Sequence, residues 1–316
     1  MMKPRVLIVG SACVELIIKT PRIPGAGQTA AGDDFYYLPG GKGTDTSVAL
    51  ARLGGDPVFS AKLGDDPNGK ELSEYLASEG VDCRFVPFER GENTALEVVL
   101  REEGQADRRL VYPGAGAHFS ESDVEEAFIC YPDAVMLHRG LPAPAINEAV
   151  TMSEKKKLPL FAVGLSDPED YPLSQMGECE ALIVNEEDIT RCTGIRPVDQ
   201  EKCMKACMAL TQHVKTKYVI LRLGERGSFL YDGMYYHFIA AYDVPQPNGV
   251  TAEGAYAAAF VLEYLRSEGD LKRACEFATI ISAIYLTRGG GMRAYPTKED
   301  VKRFILRNEI DFEIDT

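Results

Sequence analysis

Val6-Leu-Ile-Val-Gly10 is a short, largely β-branched run closed by glycine, and it sets the reading of the whole chain. Apolar residues at consecutive positions, with no polar alternation, suit a strand buried on both faces. That is the signature of a parallel sheet covered by helices. The same pattern returns at Val58–Lys62, Ala134–His138, Leu160–Val163, Ala181–Val184 and Tyr218–Leu223. Helical patterns fall between these runs, at Ser47–Leu53, Gly69–Ser78, Ala145–Ser153, Glu186–Cys192 and Gln200–Val214, and close the chain at Ala252–Ser267, Leu271–Tyr285 and Lys298–Leu306. The expectation is an α/β protein with a mostly parallel sheet and helices on both faces. Thr94–Leu100 and Arg109–Tyr112 flank a polar turn outside this rhythm, and Asp232-Gly233 marks a second hairpin. The first hairpin, with the Gly- and Pro-rich stretch 14–38, is expected to form a small β lid over a single domain spanning 1–316.

Composition narrows the function. The chain has 316 residues and a formal net charge of −14, which argues against a nucleic-acid binder or an anionic-lipid surface. Its eight cysteines are scattered without a CxxC pair, and the Cys203/Cys207 pair lacks complementary ligands, so free buried thiols in a reducing compartment are expected. The N-terminal apolar run is too short for a signal-peptide core or a membrane span, and the cytoplasm is the expected location.

Common signatures are missing. Gly10-Ser-Ala-Cys13 does not supply the dinucleotide-binding glycine fingerprint, which removes a dehydrogenase, and no Walker-type P-loop occurs. Three glycine or polar loops remain. Pro39-Gly-Gly-Lys-Gly43 precedes a helix and is either a plain tight turn or backbone shaped for close ligand approach. Leu223-Gly-Glu-Arg-Gly227 ends a strand, where open α/β sheets bind ligands. Val184-Asn-Glu-Glu-Asp188 opens a helix; it suits capping first, and water-mediated contact to a phosphate-bound Mg²⁺ second.

Taken in order, these pieces resemble the ribokinase-like, phosphofructokinase B-type carbohydrate kinases. The match runs through Val9-Gly-Ser11, Pro24-Gly25, Gly40-Gly-Lys-Gly43, Gly64-Asp65-Asp66, Gly114-Ala-Gly-Ala117, Asn185–Asp188, Leu223–Gly227 and Thr287-Arg-Gly-Gly290. The resemblance implies a ribokinase-like fold, ATP with Mg²⁺, and phosphoryl transfer to a hydroxyl of a sugar or nucleoside-like substrate. It also implies a homodimer formed through the lid. Carried onto this sequence, the substrate-binding positions are Cys13, Glu15, Gly40, Gly41, Lys42, Asp45 and Arg139. The nucleotide-binding positions are Asn185, Arg222, Gly224 and Gly227, with Asp188 placed near the metal.

One motif departs. The family's D-T-x-G-A-G-D-x-F supplies a phosphate cradle and then the catalytic base. Here the ungapped stretch is Asn248-Gly-Val-Thr-Ala-Glu-Gly-Ala-Tyr256. The cradle becomes Ala252 and Glu253, and Gly254 stands where the base belongs. On the sugar side Cys13 and Glu15 replace the usual Asn and Asp, and Asp45 replaces an Asn. Two expectations stand side by side: a kinase using Asp45 or Glu15 as a substitute base, or an inactive homologue that binds a sugar-like or nucleotide ligand as a sensor or partner protein.

Overall fold

The computed structural model describes residues 3–165, 173–245 and 250–314. The chain opens with β1 (Arg5–Val9), β2 (Cys13–Thr20), β3 (Asp34–Gly40), α1 (Lys42–Arg52), β4 (Asp56–Ser60), β5 (Leu63–Gly64) and α2 (Pro67–Ser78). It continues through β6 (Asp82–Phe85), β7 (Phe88–Glu89), β8 (Leu96–Glu102), β9 (Arg108–Tyr112), α3 (Glu121–Ala127), β10 (Ala134–His138), α4 (Ala143–Lys156) and β11 (Leu160–Val163). Then follow β12 (Glu178–Asn185), α5 (Glu186–Thr193), α6 (Gln200–Leu210), β13 (Lys215–Arg222), β14 (Ser228–Tyr231), β15 (Tyr236–Ile239), α7 (Glu253–Arg266), α8 (Leu271–Thr287) and α9 (Lys298–Arg307).

Among the described residues, nine strands form the main sheet in the order β15-β14-β13-β12-β11-β10-β1-β4-β6. The pairs from β13 to β6 are parallel, and β14 and β15 are antiparallel additions at one edge. The unbroken apolar run of β1 has a direct cause. Successive side chains point to opposite faces, so Val6 and Ile8 pack into the layer of α1, α2, α7 and α8, while Leu7 and Val9 join the layer of α3–α6. Each such fully buried Val, Leu or Ile contributes about 1.5–3 kcal/mol over an exposed one.

A second sheet, β3-β2-β8-β9, stands apart from the main one. It joins the two segments expected to form a lid, with β2 pairing antiparallel to β3 and parallel to β8. Cys13, Glu15 and Ile17 alternate onto one face, and Val14, Leu16 and Ile18 onto the other.

Three local expectations need correction. Helix α1 begins at Lys42, not near Ser47, so half of the glycine loop is helix. Gly43, Thr44, Asp45, Thr46 and Ser47 are weak helix formers. Burial of Gly43, Thr44, Thr46 and Ser47 in the tertiary structure overrides that propensity. Helix α3 is absent from the sequence reading, although Ser120 and Asp123 form a complete capping box. Helix α6 stops at Leu210, four residues short of Val214.

Candidate active site

The parallel strands β1, β10, β12 and β13 end together at Val9, His138, Asn185 and Arg222, and helices α1 and α7 begin at the same end of the sheet. The first of these helices is pinned to the end of β1. Gly41 caps it at φ 97°, and a Cβ there would lie 2.6 Å from the Ser11 carbonyl oxygen. Only glycine meets both demands. The Lys42 N–H donates to Ser11 Oγ at 3.2 Å, and the Gly43 N–H to the Ser11 carbonyl at 3.0 Å. A Cβ at Gly10 would stand 2.6 Å from Gly43 Cα, so backbone meets backbone.

Helix α7 lies across this turn. A Cβ at Gly254 would sit 2.9 Å from the Asp45 Cβ and 3.2 Å from the Tyr295 hydroxyl. The carboxylate on α1 and the glycine on α7 are therefore immediate neighbours. Burial pushes the Asp45 carboxyl up to about 7, with Lys42 opposing the shift, Glu15 and Glu253 adding to it, and the Tyr295 hydroxyl opposing. A carboxylate tuned to that range can take a proton from a neutral hydroxyl and release it again. Burial and the Glu97 charge likewise raise Glu15, against Arg109 and Lys42. The Glu15 side chain lies across Gly40, where a Cβ would come within 2.5 Å of its Cγ. Burial together with Glu15, Glu97 and Asp45 drives the Cys13 thiol well up, so it is neither a nucleophile nor a proton acceptor at neutral pH.

Glu253, the first residue of α7, points into the protein. It is only 6% exposed, and its Oε2 lies 3.6 Å from Lys42 Nζ and 3.9 Å from Arg222 Nη1. Burial would raise its carboxyl, but Lys42, Arg222 and Arg139 outweigh burial and hold it below the usual range. Ala252 before it is buried and gives the helix no side-chain cap.

At the end of β12, Asn185 caps α5 by accepting the Asp188 N–H at 2.7 Å. Asn185→Ala is expected to lower stability by about 1 kcal/mol, read as an earlier urea midpoint; an unchanged midpoint would show that the cap carries no weight. Asp188 is fully buried between Arg139, which donates to its Oδ1, and Arg191 at 3.0 Å. Burial raises its carboxyl and the two arginines oppose that. Arg139, expected on the substrate side, pairs with the Asp188 carboxylate. Among the described residues no group of three or more His, Cys, Asp or Glu side chains could hold a metal ion.

Arg222 is held over the ring of Tyr256 at 5.6 Å, and burial lowers its pKa. The two glycines beyond it differ. Gly224 (φ 56°) faces open space, whereas a Cβ at Gly227 would strike the Ile239 carbonyl at 2.0 Å. Gly224 is free to approach a ligand, and Gly227 is required by the β14–β15 hairpin. Asn248 lies outside the described residues.

Sequence reading missed His138 and Tyr295. His138 is 1% exposed with neither ring nitrogen partnered, and burial lowers its pKa to about 4, so it is neutral at pH 7. The only signal for it was its place at the carboxyl end of a strand. Tyr295 had none, since it reaches Asp45 and Gly254 only through tertiary packing. None of the eight cysteines is in a disulfide, and among the described residues no helix is long and apolar enough to cross a membrane.

Residues 3–298 match the family model described as pfkB family carbohydrate kinase. The ribokinase of Haemophilus influenzae is 25% identical over 309 residues, covering 96% of this chain and 99% of that protein. The ribokinase of Mus musculus is 28% identical over 320 residues, covering 94% of this chain and 93% of that one. In three dimensions the chain is similar to Arabidopsis thaliana ribokinase complexed with ribose and ATP, at a TM-score of 0.84 and 24% identity over 96% of this chain and 99% of the other. It is also similar to Giardia lamblia ribokinase, at a TM-score of 0.85 and 19% identity over 97% and 100%. The shared architecture is the ribokinase-like α/β fold.

Proposed function

Because the chain belongs to the pfkB family of carbohydrate kinases, we propose that it transfers the γ-phosphoryl group of ATP to a hydroxyl of a small sugar or nucleoside-like substrate, with Asp45 as the base. The observation that carries this reading is the contact between Asp45 and Gly254. In this reading α1 supplies the proton acceptor, from a side chain whose Cβ lies 2.9 Å from where a Cβ on Gly254 would stand. The acceptor hydroxyl gives its proton to Asp45 as its oxygen bonds to phosphorus, and the bridging oxygen–phosphorus bond breaks to release ADP. Glu15 and Gly40 line the acceptor side, and Gly224 and Arg222 serve the nucleotide.

The pH profile follows with a definite sign. Asp45 must be ionised to accept a proton, and its carboxyl titrates near 7. Turnover should therefore be low in acid, rise through a limb near neutrality and level off above it. A coupled ADP assay with pentoses, hexoses and nucleosides from pH 5.5 to 9 tests this, with phosphorylated product identified by mass spectrometry. A profile that stays flat through neutrality excludes Asp45 as the base.

A second reading, a non-catalytic homologue that binds a sugar-like or nucleotide ligand, is favoured by one observation. Glu253 places a carboxylate between the cations of the phosphate cradle. Ligand binding without product on any acceptor selects that reading. For the quaternary state, the outer row Tyr37–Leu16–Val98–Leu110 across the lid sheet is apolar, with Tyr37 58% and Leu110 73% exposed, which supports lid-to-lid pairing of two copies.

A further inference from the structure

Glu253 stands between two cations from different elements of the fold. Lys42 comes from α1, beside Asp45, and Arg222 comes from the end of β13, beside the Gly224 loop. The carboxylate meets both only at ion-pair distance, 3.6 and 3.9 Å. Its other oxygen, Oε1, is buried with no hydrogen-bond partner. Among the described residues, neither the Lys42 ammonium nor the Arg222 guanidinium makes a hydrogen bond; the guanidinium rests on the Tyr256 ring. Two cations thus share one carboxylate that satisfies neither. A guanidinium fork and an ammonium suit a larger anion whose several oxygens reach both donors at once.

We propose that Lys42 and Arg222 form a seat for a single phosphoryl group, and that Glu253 is a tethered placeholder which the phosphoryl group displaces. That the occupant is a phosphoryl group rests on the kinase reading, because the seat lies between the candidate base and the nucleotide loop. The exchange spares the molecule an uncompensated guanidinium at the largely buried Arg222, beside the half-buried Lys42 ammonium, when the site is empty. Its consequence is competition: every phosphate-bearing ligand must first displace Glu253, whereas a ligand without phosphate need not.

Orthophosphate alone tests the seat without any turnover, in calorimetric titrations at constant ionic strength. Glu253→Gln keeps the shape and removes the charge; it should bind orthophosphate tighter than wild type by about tenfold or more, the factor that about 1.4 kcal/mol represents. Adenosine affinity should not change, and it reports an intact fold. Glu253→Gly should move orthophosphate in the same direction and serves if the glutamine variant folds poorly. Adding Arg222→Met to Glu253→Gln should erase the gain. Equal or weaker orthophosphate binding by both Glu253 variants would overturn the proposal, and so would a gain that survives Arg222→Met. Failure of the kinase reading looks different: no phosphorylated product from wild type on any acceptor, with the orthophosphate effect intact.

Discussion

Asp45→Asn is expected to lower kcat for sugar phosphorylation by about 10²–10⁴-fold, the usual cost of losing a positioned general base. The substitution is nearly isosteric, and asparagine is the residue that resembling kinases carry at this point, so packing against α7 should survive. What disappears is the only lone pair at that position able to hold a proton at neutral pH. Nucleotide affinity should change little, because the proposed reading assigns the nucleotide to Arg222 and Gly224 and not to Asp45. The limb near pH 7 should vanish with the activity, a change that a merely structural role would not produce. A variant that keeps its kcat within about threefold, or keeps the neutral limb, removes Asp45 from the mechanism and leaves Glu15 as the remaining carboxylate on the acceptor side.

Gly254→Asp is expected to destabilise the protein, although it restores the carboxylate that resembling kinases carry there. The added Cβ would meet the Asp45 Cβ at 2.9 Å and the Tyr295 hydroxyl at 3.2 Å. Overpacking of this kind costs about 1–3 kcal/mol, and two carboxylates in one buried site repel each other as well. Melting should fall by several degrees at pH 7. The sign with pH is fixed: both carboxyls would titrate above their unfolded values, so the folded form binds more protons and the deficit should shrink as pH falls toward 5. Melting curves at pH 5 and 7 measure this, and a Gly254→Asp variant as stable as wild type at both values contradicts the packing. The exchange variant Asp45→Gly with Gly254→Asp removes the clash and moves the base across the interface. It should recover both stability and product relative to Gly254→Asp alone.

These two results separate what can be read locally from what cannot. The run Val6–Gly10 and its counterparts gave the parallel sheet because burial on both faces leaves an unbroken apolar pattern, a property of each strand taken alone. Helix α1 was placed five residues late for the opposite reason. Its first turn is Lys-Gly-Thr-Asp-Thr, a sequence with little helical tendency, and it is helical because Ser11, Gly10 and α7 close around it. The pairing of Arg139 with Asp188, 49 residues further along the chain, likewise left no local pattern.

The amino-acid sequence by itself determined the class of sheet, the order of the glycine loops, and a glycine at position 254. It also contained Asp45 and Glu253, but as two unrelated departures from a pattern. Only the tertiary structure decided that they lie at one place: Asp45 fills the space beside Gly254, and Glu253 turns inward between Lys42 and Arg222. The physical reason is that proton affinity and charge pairing depend on separation through space and on burial. Asp45 and Gly254 lie about two hundred residues apart along the chain. Nothing in the local pattern around either one records that helices α1 and α7 cross at that point.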